Sequence, residues 1–281
     1  MFWRNSERKE ELSLKQYGVH RMLTNELDFT NEKRKYFEIQ GNVLKKKFES
    51  VRINTHLAEN GDDVKNFITG FIKEREYIKS IAFSDSVTLY QLDLFDWFRD
   101  IYRGNDYKIN QPLERSKTGQ YAVYGEEPPG RMNIPYEEWK VKYDKWYQGL
   151  RDSLTSDLLV ISANAITLNG EIVSIDGIGN RVSGMIFGPL HVLCIVGRNK
   201  IVKDVDFALE RIHNYTVPLI YIRHNLKHWC NFQEVPCVKN GKCSNCRHPE
   251  SACRNTVIIS GQIKQHQDRI HLVVVNQDLG F

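Results

Sequence analysis

Apolar positions along the chain recur first at helical spacing and later in short solid runs, and the change divides the sequence. Up to about Val51 charged residues dominate, and Val43, Leu44, Phe48 and Val51 recur at helical spacing. Lys33, Arg34, Lys35 and Lys45, Lys46, Lys47 are the densest basic runs there and read as solvated helix face. The stretch DDVKNFITGFIKEREYIK, residues 62–79, predicts an amphipathic helix capped by Asp62 or Asp63. A short apolar strand at 81–83 follows, then a Ser-Asp-Ser turn and a helix from about Thr88. Residues 103–135 are rich in Gly, Pro, Asn and Ser, and EEPPGRMNIP reads as loop. Trp139, Tyr143, Trp146, Tyr147 and Leu150 then mark the buried stripe of a helix over 136–153.

From Leu158 the pattern turns to strands. LLVISANAIT and EIVSID meet across Asn169-Gly170, a pair suited to a hairpin turn in which both central residues need positive φ. A helix over 181–187, the strand HVLCIVG, the segment RNKIV, the helix DVDFALERIHN capped by Asp204, and the strands NTVIIS and RIHLVVV complete the chain. Strands alternating with helices in this order predict an α/β fold with a largely parallel sheet. The expected organisation is an N-terminal helical extension over 1–60 and an α/β domain over 61–281, including a cysteine-rich loop at 230–253.

The 281 residues are 41% hydrophobic, enough to bury a substantial core, and 39 Lys and Arg against 35 Asp and Glu give a formal charge of only +4. So small an excess, with no basic stripe interleaved with aromatics, argues against nucleic acid as a partner. No uncharged apolar run reaches the ~18 residues that a membrane span needs. The start MFWRNSERKEEL lacks the apolar stretch of a signal peptide. The expectation is a cytoplasmic protein with no membrane partner.

The stretch SIDGIGNRVSG, residues 174–184, sets glycines beside an amide and a guanidinium. A dinucleotide fingerprint begun at Gly177 and Gly179 would need glycine at Val182, and a Walker loop would need Ser or Thr after Gly241-Lys242, where Cys243 stands. Both fail. What remains is a strand ending at Asp176, two glycines that let the backbone bend, and a helix start near Asn180-Arg181. Such a corner could present amides and a clamping Arg to a carboxylate or phosphate. The same spacing also allows a plain corner in which Arg181 and Asp176 pair with each other. Arg198-Asn199-Lys200 follows the HVLCIVG strand, and together with Ser84-Asp85-Ser86 it should lie beyond strand ends where α/β sheets bind ligands.

All six cysteines fall between Cys194 and Cys253. Cys194, inside an apolar run, reads as a buried hydrophobe. Cys237, Cys243, Cys246 and Cys253 stand at C-x5-C-x2-C-x6-C, and the central C-x2-C is a chelating pair. Zinc and an iron-sulfur cluster both accept four thiolates; a redox pair at Cys243 and Cys246, or unpaired thiols, are the alternatives. Cys230 is a spare ligand or a buried side chain. His224 and His228 are four apart, but Asn225 replaces the Glu of a zinc-protease motif, so both read as ordinary histidines.

ANAITLNGEIVSIDGIGNRVSGMIFGP, VGRNKIVKDVDFALERI, PCVKNGKCSNC and VNQDLGF together resemble the LUD family, the lactate-utilisation domain proteins of bacteria and archaea. The resemblance is close from about Ser156 to Phe281, weaker over 62–100, and does not reach the N-terminal helices; the loop around Pro128-Pro129 looks like an insertion. It implies a fold like that of sugar-phosphate isomerases and CoA-transferases. It also implies iron-sulfur partner proteins that jointly oxidise L-lactate to pyruvate by electron transfer. Relatives usually carry Gly-Gly-Ser ahead of the Thr-Leu pair, whereas Ser84, Asp85, Ser86 and Val87 precede Thr88 here, adding a carboxylate that would repel an anion or require a cation. The ligand-binding set implied is Ser84, Ser86, Thr88, Asn164, Asp176, Gly177, Gly179, Asn180, Arg181, Arg198, Asn199 and Lys200, with Arg181 holding a substrate carboxylate. The metal set is Cys237, Cys243, Cys246 and Cys253.

The function expected first is therefore a subunit or accessory of a lactate-oxidising, iron-sulfur-dependent system that binds a small anionic metabolite. A non-catalytic regulator sensing metal or redox state is the second expectation. An independent isomerase or transferase with Asp176 or Asp85 as base is the third, since no nucleophile-base pair stands out in the sequence.

Overall fold

The structure, a computed structural model, describes residues 28–102, 107–110, 114–115, 121–122, 135–227 and 232–281. The sequence features at 1–27, most of the EEPPGRMNIP loop with Pro128-Pro129, His228 and Cys230 lie outside these. The chain divides into two units, Met1–Gln40 and Gly41–Phe281. The described part of the first enters helix α1 (Thr30–Ser50), where the Asp28 carboxylate accepts from Thr30 N at 3.0 Å; Lys33, Arg34 and Lys35 are exposed, a solvated face as expected.

The second unit is mixed α/β. In chain order its elements are β1 (Asn54–Ala58), α2 (Gly61–Lys73), β2 (Ser80–Phe83), α3 (Val87–Gln91), α4 (Leu94–Tyr102) and β3 (Lys108–Asn110). Next come the short pair β4 (Glu114–Arg115) and β5 (Tyr121–Ala122), then α5 (Tyr136–Asp152), β6 (Leu158–Ile161), β7 (Ala165–Thr167) and β8 (Ile172–Asp176). The remainder is α6 (Asn180–Ile186), β9 (His191–Gly197), β10 (Ile201–Val202), α7 (Val205–Arg211), α8 (Val217–Lys227), α9 (Pro236–Asn240), β11 (Asn255–Ile259) and β12 (Ile270–Val275).

Six strands form a wholly parallel sheet in the order β1-β12-β9-β6-β2-β3. Every residue of β6, β9 and β12 is buried, which is why HVLCIVG and IHLVVV run apolar without alternation: parallel strands are covered on both faces. Cys194 lies within β9 fully buried, and burial pushes its thiol up to about 12, so it is packing rather than chemistry. Helix α2 covers the sheet with Val64, Ile68, Phe71 and Ile72.

Five expectations are corrected. The α2 cap is Asn60, whose Oδ1 accepts from Asp62 N at 2.9 Å and Asp63 N at 3.1 Å; the two Asp side chains instead occupy the first turn, where negative charge opposes the helix dipole. That helix ends at Lys73 rather than at 79. The expected boundary at residue 60 cuts through the sheet, because β1 pairs along its length with β12. LLVISANAIT is two strands. After β6 the chain leaves the parallel sheet, and β7 joins a mixed sheet, β10-β7-β8-β11, in which β8 is antiparallel to both neighbours. The Asn164 side chain accepts from Ile175 N at 2.9 Å and fixes this departure. A hairpin joins β7 and β8 at Asn169-Gly170, but through a different turn from the one expected: Gly170 has φ +95° while Asn169 does not have positive φ, and the loop spans residues 168–170, with Gly170 N donating to Thr167 O at 3.1 Å and Thr167 N to Glu171 O at 2.9 Å.

The chain runs outward from β2 to β3, then returns through β6 to β9 and β12 in the opposite direction. This reversal puts the carboxyl ends of β2 and β6 side by side, the crevice where open α/β sheets take ligands. Among the described residues, no helix is long and apolar enough to cross a membrane.

Candidate functional site

A cavity of about 350 Å³ opens at that reversal. The loop after β2 contributes Ser84, Ser86 and the Asp85 carboxylate that departs from the family pattern, and the start of α3 contributes Thr88; the turn after β6 contributes Asn164; the corner after β8 contributes Asp176, Gly177, Asn180 and Arg181; and Lys200 comes from the short turn after β9. The sequence set is thus largely brought together. Gly179, Arg198 and Asn199 are not in the lining. Arg198 turns to Asp278 Oδ1 at 3.0 Å and Asn276 Oδ1 at 3.0 Å, and Asn199 anchors the C-terminal segment by accepting from Leu279 N at 3.0 Å.

Lys200 is the centre of the site. It is only 5% exposed, and Nζ donates to Thr88 Oγ1 at 2.8 Å, Ser162 Oγ at 3.0 Å and Ala163 O at 3.1 Å. Three strand ends, those of β2, β6 and β9, therefore converge on one amine. All three acceptors are uncharged. Burial, with the Arg211 charge adding to it, brings the Lys200 pKa down to about 7. The field of Arg181 acts in the same direction, which places its guanidinium within electrostatic reach of the amine. Gly280 closes one side at φ +66°, and a Cβ there would lie 2.8 Å from Thr88 Oγ1 and 3.1 Å from Nζ. Only bare backbone leaves the amine approachable.

The corner at Asp176 takes the second form that its spacing allowed. The Asp176 carboxylate accepts from the amides of Ile178 at 3.2 Å, Gly179 at 3.3 Å and Arg181 at 3.1 Å, and from Arg181 Nε at 3.2 Å. Arg181 also donates through Nη2 to Ile175 O at 2.8 Å. The amides expected to cradle a ligand are thus filled by the chain's own carboxylate. Arg181 remains 26% exposed, and among the described residues its Nη1 makes no hydrogen bond.

Several contributors gave no chemical signal in the sequence. Trp146, read as packing stripe, lines the cavity, and its buried Nε1 has no partner among the described residues. The buried Ser84 Oγ is likewise unpartnered. Both residues line the cavity, and an unpartnered buried polar atom is the kind of exception that calls for an explanation. Arg211 braces the floor, donating through Nη1 to Thr216 Oγ1 at 2.7 Å and Asn164 O at 3.1 Å and through Nε to Asn199 O at 3.2 Å. Its one sequence cue is its place three residues after buried Ala208. Arg223 and His224 of α8 also reach the lining.

The cysteines are less closed. Cys237 is buried in α9, while Cys243, Cys246 and Cys253 are partly exposed. Burial first, then the neighbouring thiols, raises the pKa of Cys237, and the same causes raise Cys253 to about 11, so the four share one neighbourhood. Asn245, at φ +50°, donates its N–H to Cys243 Sγ at 3.4 Å. Tetrahedral zinc at Zn–S about 2.3 Å would hold sulfurs roughly 3.8 Å apart. Among the described residues, the group of three ligand atoms within 4.8 Å of one another is instead His191, Asp268 and His271. Among the described residues, no three of the cysteine sulfurs lie within 4.8 Å of one another.

The histidine group lies at the opposite, amino ends of β9 and β12. His191 Nδ1 and His271 Nε2 each donate to Asp268 O at 2.8 Å. A carbonyl only accepts, so the neutral His191 ring must accept at Nε2 from Tyr77 OH, 2.6 Å away. Arg75 Nη2 donates to both Asp268 carboxylate oxygens at 3.1 and 3.2 Å. The Nε2 lone pair that a metal would need is already taken on His191.

The sequence model described as the LUD domain matches residues 41–275. No curated protein matches the chain. Among solved structures, the crystal structure of a DUF162 family protein from Deinococcus radiodurans is similar at 10% identity, covering 85% of this chain and 97% of that chain, with a TM-score of 0.38. At that score no residue is carried over from it.

Proposed function

The chain belongs to the LUD-domain family, and from that premise we propose that it binds a small 2-hydroxy or 2-oxo carboxylate, of the lactate and pyruvate kind, around Lys200. The observation that carries this reading is a buried lysine whose hydrogen-bond partners are all uncharged, set in a cavity that Arg181 also lines. A buried cation without a carboxylate partner is costly unless a ligand supplies the missing charge. In this reading Arg181 takes the ligand carboxylate through Nη1, Lys200 faces the oxygen at carbon 2, and Ser84 Oγ and Trp146 Nε1 donate to what remains. Electron transfer belongs to iron-sulfur partner proteins, with this chain holding substrate or product for a lactate-oxidising system. Calorimetric titration of lactate, pyruvate and inorganic phosphate at neutral pH tests the reading. Saturable binding of either carboxylate supports it; no heat with any of the three rejects it, and phosphate alone would replace the carboxylate with a phosphorylated ligand.

One observation favours a second reading, a metal- or redox-sensing regulator. The cysteine segment abuts the cavity wall, since a Cβ on Gly177 would lie 3.4 Å from Ala252 Cα. Iron or zinc bound stoichiometrically after anaerobic purification, with ligand affinity changing when it is removed, would support that reading. Metal-free protein with unchanged affinity in oxidant and reductant would reject it.

A further inference from the structure

We propose that Lys200 is a nucleophile, forming a reversible imine between Nζ and carbon 2 of a 2-oxo acid; this rests on the carboxylate reading above and names the member of that class that reacts.

The placement of the amine carries the inference. Lysines buried for structure are ordinarily held by a carboxylate, which locks the proton on nitrogen. Lys200 instead meets two hydroxyls and one carbonyl. A hydroxyl both donates and accepts, so when Nζ loses a proton one hydroxyl, Ser162 or Thr88, can turn from Ala163 O or Leu279 O to donate to the single lone pair while the other still accepts. Ala163 O holds one remaining N–H. The amine borders the cavity, and Gly280 presents no side chain against it. With its pKa near 7, a substantial fraction of Lys200 is neutral at physiological pH.

The chemistry balances without another reactant. The Nζ lone pair attacks carbon 2, and the carbonyl π pair moves to oxygen, which takes a proton. One proton leaves nitrogen through the Ser162 or Thr88 hydroxyl, giving a carbinolamine. Loss of that oxygen as water, with a second proton delivered to it, leaves the C=N bond. Arg181 keeps the carboxylate fixed throughout, so carbon 2 rather than carbon 1 meets the amine. Lactate has no carbonyl and binds without reacting. The imine makes the adjacent methyl of pyruvate acidic, so its protons should exchange with solvent.

The test adds borohydride to the full-length protein with pyruvate, and separately with lactate, then locates the modified peptide by mass spectrometry. The expected result is one reduced pyruvyl adduct on Lys200, absent with lactate and lost in Lys200→Arg. Deuterium incorporation into the pyruvate methyl by the unmodified chain, beyond that caused by heat-denatured protein, is the second expected signal and does not depend on a variant folding. Calorimetric binding of pyruvate with neither trapping nor exchange overturns the imine while leaving the carboxylate reading intact, as does an adduct confined to another lysine. Absence of pyruvate binding, trapping and exchange together overturns both.

Discussion

The two ends of strand β9 hold two buried titratable clusters with opposite characters. At the amino end, His191 and His271 share the Asp268 carbonyl, and Tyr77 and Arg75 complete the set from outside. At the carboxyl end, Lys200 faces a cavity with neutral partners, and two polar atoms of the lining have none among the described residues. One cluster is satisfied by the chain itself; the other borders open volume that, in the proposed function, a ligand fills. Burial depresses the pKa of both histidines and of Lys200, so a shifted pKa alone does not distinguish lock from site. What separates them is open volume and unmet hydrogen-bonding capacity.

The comparison breaks most visibly with Lys200→Met. Removing the amine should weaken pyruvate binding by about 100-fold or more, the loss expected for a buried charged contact. It should leave the melting temperature unchanged or raise it by roughly 2 °C, because a buried lysine costs stability. Calorimetry and a thermal melt together check both arms. His271→Ala should do the reverse: about 2–4 kcal/mol of stability lost in denaturant unfolding, from a cavity and a missing hydrogen bond, with pyruvate affinity within about twofold of wild type.

Arg181→Ala sharpens the cavity end. Asp176 keeps its three backbone donors without the guanidinium, so the stability cost should be about 1 kcal/mol, while carboxylate affinity falls about 10-fold. The smallest effect is the pH response. His191 and His271 bind a proton less readily in the fold than in the unfolded chain, where imidazole titrates near 6.5. Stability from these groups is therefore present above about pH 6.5 and is lost as pH falls below it, a decline that denaturant unfolding at a series of pH values reads out. In His271→Ala that slope should flatten. Pyruvate trapping should instead rise through pH 7, as Lys200 loses its proton.

Much of the fold was legible because its signals are local. Solid apolar runs announce strands covered on both faces, Asn169-Gly170 announces a hairpin, and Asp204 caps its helix through Phe207 N at 3.1 Å as expected. The break inside LLVISANAIT was not legible, since the departure of β7 is set by a long-range contact between Asn164 and Ile175. The site was legible as a set of strand-end loops but not in its hierarchy. Arg198 and Lys200 are two residues apart and equally cationic in sequence; a short turn directs one to Asp278 and buries the other under β2 and β6. The cysteine spacing read as chelation, yet spacing does not state whether sulfurs converge. Trp146 gave no sign of facing a cavity rather than a core, because both demand the same apolar stripe.

The central claim is that the ligand occupies the carboxyl end of the sheet against Lys200. A crystal structure of the protein soaked with pyruvate tests this most directly. The account predicts electron density joined to or touching Lys200 Nζ, with the carboxylate on Arg181. Density elsewhere, or an empty cavity in crystals whose protein binds pyruvate in solution, would contradict it.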